Sequence, residues 1–234
     1  MKLLVLDSSG MVASVAIMTE DALIGEYTMN HKKTHSQTLL PMLDEVVKMT
    51  ETDLETIDAI AIAKGPGSFT GLRIGSATAK GLGMALGKPI VSVPTIDAIA
   101  YNLFESDKVI CPIMDARRSN VYTGTYEWKD GTFSVIEEQC ARSIAETIEA
   151  INAICRPVIF LGDAVPLHKE LILANISVPV SFAPPHLLRQ RAGAVGSLAM
   201  EYYKAGIVES AREHGPDYLK KSQAEREREE RNAN

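Results

Sequence analysis

The sequence predicts an α/β protein built as two lobes, on three observations. Short β-rich runs open the chain, apolar strands then alternate with helical stripes, and a second series of strands and helices starts near Ser106. With 234 residues, 46% of them hydrophobic and 23% charged, the chain is long and apolar enough to bury a proper core.

Leu3 to Asp7, Ala13 to Met18 and Ile24 to Met29 are strand-like runs separated by Gly, Asp or Glu, the pattern of an antiparallel meander. A helix follows from about Ser36 to Met49, where Leu39, Leu40, Leu43, Val46 and Val47 form one apolar stripe. Pro41 is harmless if that helix starts near Gln37; deeper inside it removes a backbone bond and costs ~3 kcal/mol. Ile57 to Ala63 reads as a largely buried strand feeding Lys64-Gly65-Pro66-Gly67-Ser68-Phe69-Thr70-Gly71. A helix over Leu72 to Leu86 comes next, with Gly87 at its C-cap and Pro89 barring continuation. Pro89 to Val93 is a strand and Thr95 to Phe104 a helix.

The second lobe has strands at Val109 to Met114 and Asn120 to Trp128, and a helix at Ser143 to Ala153. A strand at Pro157 to Leu161 ends on Gly162-Asp163, and a long helix at Leu187 to Ala205 is closed by Gly206. The expected division is a first lobe over 1–105, a second over 106–219 and a charged tail over 220–234. In that tail Glu227 and Arg231 stand at i, i+4, as in an exposed helix or a frayed end.

Composition narrows the function classes. No apolar run approaches the ~20 residues of a membrane span, and Leu3 to Leu6 is too short for a signal segment. Cys111, Cys140 and Cys155 are odd in number with no C-x-x-C spacing, which fits a reducing cytoplasm rather than a disulfide framework or zinc site. A net charge of −6 gives no global attraction for phosphate backbones. No strong basic patch shows along the chain, so a role with RNA is expected to lean on a better-charged partner.

The Lys64 to Gly71 turn is the most informative stretch. A strand entering Gly-Pro-Gly-Ser and leaving as a helix can aim backbone N–H groups at an anion, with the helix N-terminus adding positive potential. Ser68 and Thr70 can each cap that helix or touch a phosphate. The turn is neither a P-loop nor G-x-G-x-x-G, and a purely structural turn is the competing reading. Behind it Gly71, Gly75, Ala79 and Gly83 recur every four residues, leaving one helical face almost bare. Each interior glycine costs roughly 0.5–1 kcal/mol against alanine, a cost that close packing must offset. The surface it packs on is either the lobe's own sheet or a helix of another subunit.

The residues then show a family resemblance. Leu6-Asp7-Ser8-Ser9, His35-Ser36 with Leu40-Pro41, and Gly65-Pro66-Gly67-Ser68-Phe69-Thr70-Gly71-Leu72-Arg73-Ile74-Gly75 closely resemble the bacterial TsaB (YeaZ) family. Met114-Asp115-Ala116-Arg117-Arg118 with Val121-Tyr122, then Pro216-Asp217-Tyr218-Leu219 and Ser222-Gln223-Ala224-Glu225-Arg226, extend the match nearly end to end. The resemblance implies an actin-like, Hsp70-like ATPase (ASKHA) fold with two RNase-H-like lobes. It also implies a part in forming N6-threonylcarbamoyladenosine at position 37 of tRNA. In that system such chains pair with a catalytic paralogue, TsaD, through first-lobe helices, a P-loop ATPase, TsaE, joins them, and homodimers use much the same surface. The partner interface is accordingly expected on Leu39, Leu40, Leu43, Val46, Val47, Gly71, Gly75, Ala79 and Gly83.

The same resemblance argues against catalysis by this chain alone. Its catalytic paralogue carries an N-H-x-E-G-H-like motif whose histidines hold a metal. The matching stretch here is Pro94-Thr95-Ile96-Asp97-Ala98-Ile99, with Thr95 and Ile99 in the histidine places, and isoleucine cannot ligate a metal. No metal or cofactor of its own is therefore expected; ATP or ADP with Mg²⁺ belongs to the complex, and tRNA is reached through it. His31 and His35 flank a Lys-Lys-Thr stretch without a third ligand and read as surface or capping residues.

The second hypothesis is an autonomous ATP-dependent small-molecule kinase using Asp7, Ser8, Gly65, Gly67, Ser68, Thr70 and Arg73 as an anion loop. Asp7 can hold a hydrated Mg²⁺ through water. Against it, Asp115 is followed by Ala116, Arg117 and Arg118 where a second glycine turn is needed, and Gly162-Asp163-Ala164 is a thin adenosine turn. A metalloprotease falls with the missing histidines. A serine hydrolase is unsupported, because Ser68 lies outside any G-x-S-x-G elbow. Cys111 sits in an apolar run and reads as a buried thiol.

Overall fold

A computed structural model of the chain describes residues 1–219. The expected tail over 220–234 lies outside them. The first lobe contains β1 (Lys2–Asp7), β2 (Ala13–Thr19), β3 (Leu23–Met29), α1 (His35–Met49), β4 (Ala59–Gly65), α2 (Phe69–Leu86), β5 (Ile90–Pro94) and α3 (Thr95–Tyr101). The second contains β6 (Val109–Asp115), β7 (Asn120–Lys129), β8 (Thr132–Ser143), α4 (Ile144–Ile154), β9 (Val158–Leu161), α5 (Val165–Asn175) and β10 (Val180–Phe182), and α6 (Ala192–Lys204) ends the series.

Each lobe holds a five-stranded mixed sheet, in the orders β3-β2-β1-β4-β5 and β10-β9-β6-β7-β8. The expected meander is present: Val5 pairs antiparallel with Ala16 and parallel with Ala61. β1 is apolar from Leu3 to Leu6, as a strand covered on both faces requires. Leu4 and Leu6 face α1 and α2 in a core with Leu39, Leu43, Val46 and Ala79. Leu3 and Val5 point the other way, into a core with Val195, Leu198 and Ala199 of α6.

That second core corrects the expected lobe boundary. α6 lies against the first sheet, because α1 and α2 both cover the opposite face and leave Leu3, Val5 and Ala61 in need of a lid. The chain after it stays there: Glu209 exchanges two backbone bonds with Ile90, both 2.9 Å. Residues 192–219 therefore belong structurally to the first lobe, not to 106–219. The helix expected from Leu187 begins only at Ala192, since Arg191 is extended and Leu187 and Leu188 pack into the second lobe. Pro41 stands well inside α1, on its exposed side, where it leaves one helical carbonyl without its N–H partner.

Between the lobes sits α3. Its Ile96 and Ile99 pack with Ile110, Met114 and Tyr126 of the second sheet. Tyr126 donates its hydroxyl proton to Asp97 at 2.7 Å, a buried bond that ties the lobes together. Among the described residues no helix is long and apolar enough to cross a membrane.

Candidate functional site: the interlobe cleft

The two lobes leave a cleft of about 670 Å³ between them. The β1–β2 turn (Ser9, Gly10, Met11), the β3–α1 loop (His31, Lys32, Lys33) and the α2 N-terminus (Gly67 to Thr70) line one side. Asp115, Arg117 and Asp163 line the other, and Asp217, Tyr218 and Leu219 complete the rim.

Geometry divides the expected anion loop. Gly67, Ser68 and Thr70 reach the cleft; Asp7, Ser8 and Gly65 do not line it. Asp7 is 1% exposed and accepts the N–H and hydroxyl of Ser9, at 2.9 and 2.7 Å. Burial pushes its carboxyl above the ordinary range, while the Ser9 bonds and nearby His35 oppose that shift. Ser8 turns away and donates to the Gly71 carbonyl at 2.9 Å. The Ser68 N–H donates to Ser9 O at 2.6 Å, and the Ser68 hydroxyl caps α2 by accepting from Gly71 N–H at 3.3 Å. The Ser68 N–H is thus committed to the β1–β2 turn and its hydroxyl to the α2 cap. Gly65 has φ +123°, and a β-carbon there would run into the Asp217 carbonyl.

The bare face of α2 points inward, which corrects the expected interface. Gly71, Gly75, Ala79 and Gly83 are all buried. β-carbons on the three glycines would meet Ser8 main chain, Ser8 Oγ and, at 2.9 Å, Ala211 Cβ. Leu39, Leu43 and Val46 belong to the first-lobe core, and Val47 is half-buried against it. Only Leu40 of the expected set projects, at 54% exposure. The outward face of α2 carries Ala77, Gly81 and Met84 instead, and nothing lies within 4 Å of the β-carbon position of Gly81.

His35 opens α1, lines the cleft and donates Nε2–H to the Gly10 carbonyl at 2.8 Å, a tertiary role its spacing did not show. Across the cleft Arg117, Arg118 and Ser119 all have positive φ, +63°, +54° and +57°. Three left-handed non-glycine residues cost roughly 1–2 kcal/mol each. The turn is held by Ala116 N–H to Asn120 O at 2.9 Å and by Asn120 Nδ2 to Arg118 O at 3.1 Å. Both arginines turn outward and are exposed. Gly162 has φ +108° and closes on the Ile113 main chain, so its glycine serves strand packing. Asp163 accepts the Asp115 N–H at 2.9 Å, and burial raises its carboxyl pKa.

The C-terminal strap was invisible in the linear pattern. His214 is buried, with Nδ1 2.9 Å from both Ser92 Oγ and Glu209. Lys80 Nζ donates to the carbonyls of Arg212 and His214 at 2.9 and 2.8 Å. Asp217 N–H donates to Lys64 O at 2.7 Å, and Tyr218 lies on Phe69 with ring centroids 4.9 Å apart.

Comparison with known proteins fits this architecture. The family described as "TsaD: tRNA N6-adenosine threonylcarbamoyltransferase" matches residues 23–228. A Bacillus subtilis protein named tRNA threonylcarbamoyladenosine biosynthesis protein TsaB is 34% identical over 227 residues, 96% of either chain. The chain belongs to the TsaB (YeaZ) family. The YeaZ structure from Pseudomonas aeruginosa superposes with a TM-score of 0.75 at 26% identity, covering 93% of this chain and 99% of that one. At 9% identity, component A of the Acidaminococcus fermentans (R)-2-hydroxyglutaryl-CoA dehydratase still gives 0.52, over 88% and 99% of the two chains. That likeness concerns the fold alone, which is the actin-like, Hsp70-like ATPase fold with two RNase-H-like lobes. Among the described residues no three or more His, Cys, Asp or Glu side chains group to hold a metal. Thr95 instead accepts the Gly65 N–H at 3.1 Å, and Ile99 is a core residue at 1% exposure.

Proposed function

We propose that this chain is a non-catalytic subunit of the assembly that forms N6-threonylcarbamoyladenosine in tRNA. The name of its full-length relative supplies the pathway. One structural observation carries the non-catalytic role: at the TsaD-like histidine positions, Thr95 is committed to Gly65 and Ile99 to the core. Neither position offers an imidazole to a catalytic metal, and Asp97, the carboxylate between them, is taken up by the Tyr126 hydroxyl.

The chain then acts by contact with a TsaD-like catalytic paralogue, with a TsaE-like P-loop ATPase joining them in the cytoplasm. ATP or ADP and Mg²⁺ act in the assembly. Contact uses the outward faces of α1 and α2, where Leu40 and Met84 are 54% and 58% exposed beside the small residues Ala77 and Gly81. Small residues let a partner helix approach, and each buried Å² of apolar surface contributes ~25 cal/mol. The same face closes a homodimer when the partner is absent. A stand-alone kinase fits less well, because Asp7 is buried and bonded to Ser9 and the Ser68 N–H is taken by the Ser9 carbonyl.

Reconstitution tests the reading. With the paralogue, the ATPase, threonylcarbamoyl-adenylate and unmodified tRNA, product should form only when this chain is added, and this chain alone should form none. Transfer by the isolated polypeptide, or full activity without it, would overturn the proposal.

A further inference from the structure

The fold assembles at the cleft rim a charge that the linear sequence scatters. Lys32 and Lys33 come from the β3–α1 loop and Arg117 from the β6–β7 turn; all three are exposed on one opening. None of these side chains pairs with a carboxylate of a described residue. Arg118, next in the chain, is also exposed. The acids nearby are partly engaged: Asp115 accepts Arg117 N–H at 2.8 Å and Asp163 accepts Asp115 N–H. Asp163 and Asp217 are half-buried and Asp115 is exposed beside Arg117, so the cationic edge of the rim is the Lys32–Lys33 side.

On the same rim Tyr218 presents an aromatic ring at 39% exposure. The ring is held, not loose. It lies on Phe69, its hydroxyl accepts Arg73 Nε–H at 3.2 Å, and the Arg73 guanidinium sits 4.0 Å above the Phe69 ring. Unpaired cations beside a fixed aromatic surface are the two components by which proteins hold unpaired nucleic acid, charge for the backbone and a ring for a base.

We propose that this rim binds a short single-stranded stretch of RNA, with phosphates against Lys32, Lys33 and Arg117 and one base on Tyr218. The choice of RNA rests on the function proposed above, and the inference deepens it by giving this chain a direct contact with the RNA. A free nucleoside triphosphate fits less well. Its metal-bound phosphates would need Asp7, which lies outside the cleft and is bonded to Ser9, whereas the free cations stand at the rim on both lobes.

Fluorescence anisotropy of the full chain with a fluorescein-labelled RNA hairpin bearing an unpaired loop, across a salt series, tests this. Wild type should bind at low salt. The K32E/K33E double variant should weaken binding about tenfold or more and flatten the log Kd–log salt slope by roughly 1.4, near 0.7 per lost single-strand phosphate contact. R117E should flatten it by about half as much, and Y218A should weaken binding about fivefold with the slope unchanged. K169E, the same charge change as R117E but placed on α5, should match wild type. No binding by wild type, equal loss in K169E, or displacement of the RNA by stoichiometric ATP would each overturn the proposal. Reconstituted modification separates the two ideas. If it needs this chain while K32E/K33E binds RNA normally, the rim falls and the function stands. If wild type binds RNA as described but modification never needs the chain, the function falls and the rim stands.

Discussion

The main-chain oxygen of Ser9 occupies the space that a β-carbon on residue 67 would need. The same oxygen accepts the Ser68 N–H at 2.6 Å, so it cannot retreat without breaking the bond that seats the glycine turn. Gly67→Ala should therefore destabilise the fold by about 1–3 kcal/mol, the usual cost of forcing an atom into a packed site. Urea unfolding would read this as a lower midpoint at unchanged slope. A neutral outcome would mean that the β1–β2 turn yields easily, reopening an anion-binding role for Gly67.

The two faces of α2 should respond oppositely. Gly81→Leu adds a side chain to open space and replaces a poor helix former, so the monomer should gain up to ~1 kcal/mol. That side chain, and Leu40→Asp on α1, should nevertheless abolish co-purification with the catalytic paralogue. Gly75→Leu, driven against Ser8 Oγ, and Leu43→Asp, placed in the first-lobe core, should instead unfold the chain or cost about 3 kcal/mol or more. Retained complex with Gly81→Leu would remove α2 from the interface.

This reversal shows where the sequence stops informing. The repeat Gly71, Gly75, Ala79, Gly83 announced that something approaches α2 closely, but a bare face fits a sheet, a strap or a partner helix equally well. Ser8, Ile62 and Ala211 fill the space, and Ala211 arrives from far along the chain. Local patterns did give β1 to β5, α1 and α2, with β4 displaced by two residues and α2 starting three residues earlier at Phe69, because each carries its own periodicity or caps. β8 was missed because Glu137, Glu138 and Gln139 interrupt its apolar run, and α5 because its leucines ring the helix and leave no stripe. Lys32, Lys33 and Arg117 formed no patch in the sequence; only lobe closure brings them together.

Asp97 should make stability depend on pH. It is 6% exposed; burial pushes its carboxyl up to about 6, the Tyr126 hydrogen bond opposes that, and Glu138 adds to it. A carboxyl whose folded pKa exceeds its unfolded value gives stability that is complete below the unfolded pKa and lost as pH rises through the folded one. Wild type should lose stability between about pH 4 and pH 6 relative to Asp97→Asn. The variant can still accept from Tyr126 and should be the more stable at pH 8, by at most ~3 kcal/mol. Urea midpoints of both proteins across this range provide the check, and Asp7 and Asp163, raised in the same direction, cancel between them. Parallel pH profiles would show that Asp97 does not carry the shift.

Lys80 should govern the strap. Its ammonium reaches both the Arg212 and His214 carbonyls, holding the segment that places Ala211 on Gly83 and Tyr218 on Phe69. Lys80→Met keeps most of the aliphatic stem but leaves two carbonyls without their charged donor, a loss of about 1 kcal/mol or more. Because the strap is held at separate points, that loss should appear mainly as local opening. Trypsin cleavage after Arg212 should accelerate, while the midpoint of thermal unfolding falls by only about 2–4 °C. Glu209 would keep its backbone pairing with Ile90, so the opening should stop there and spare α6. Unchanged cleavage would show that His214 and the Ile90 pairing hold the strap without Lys80.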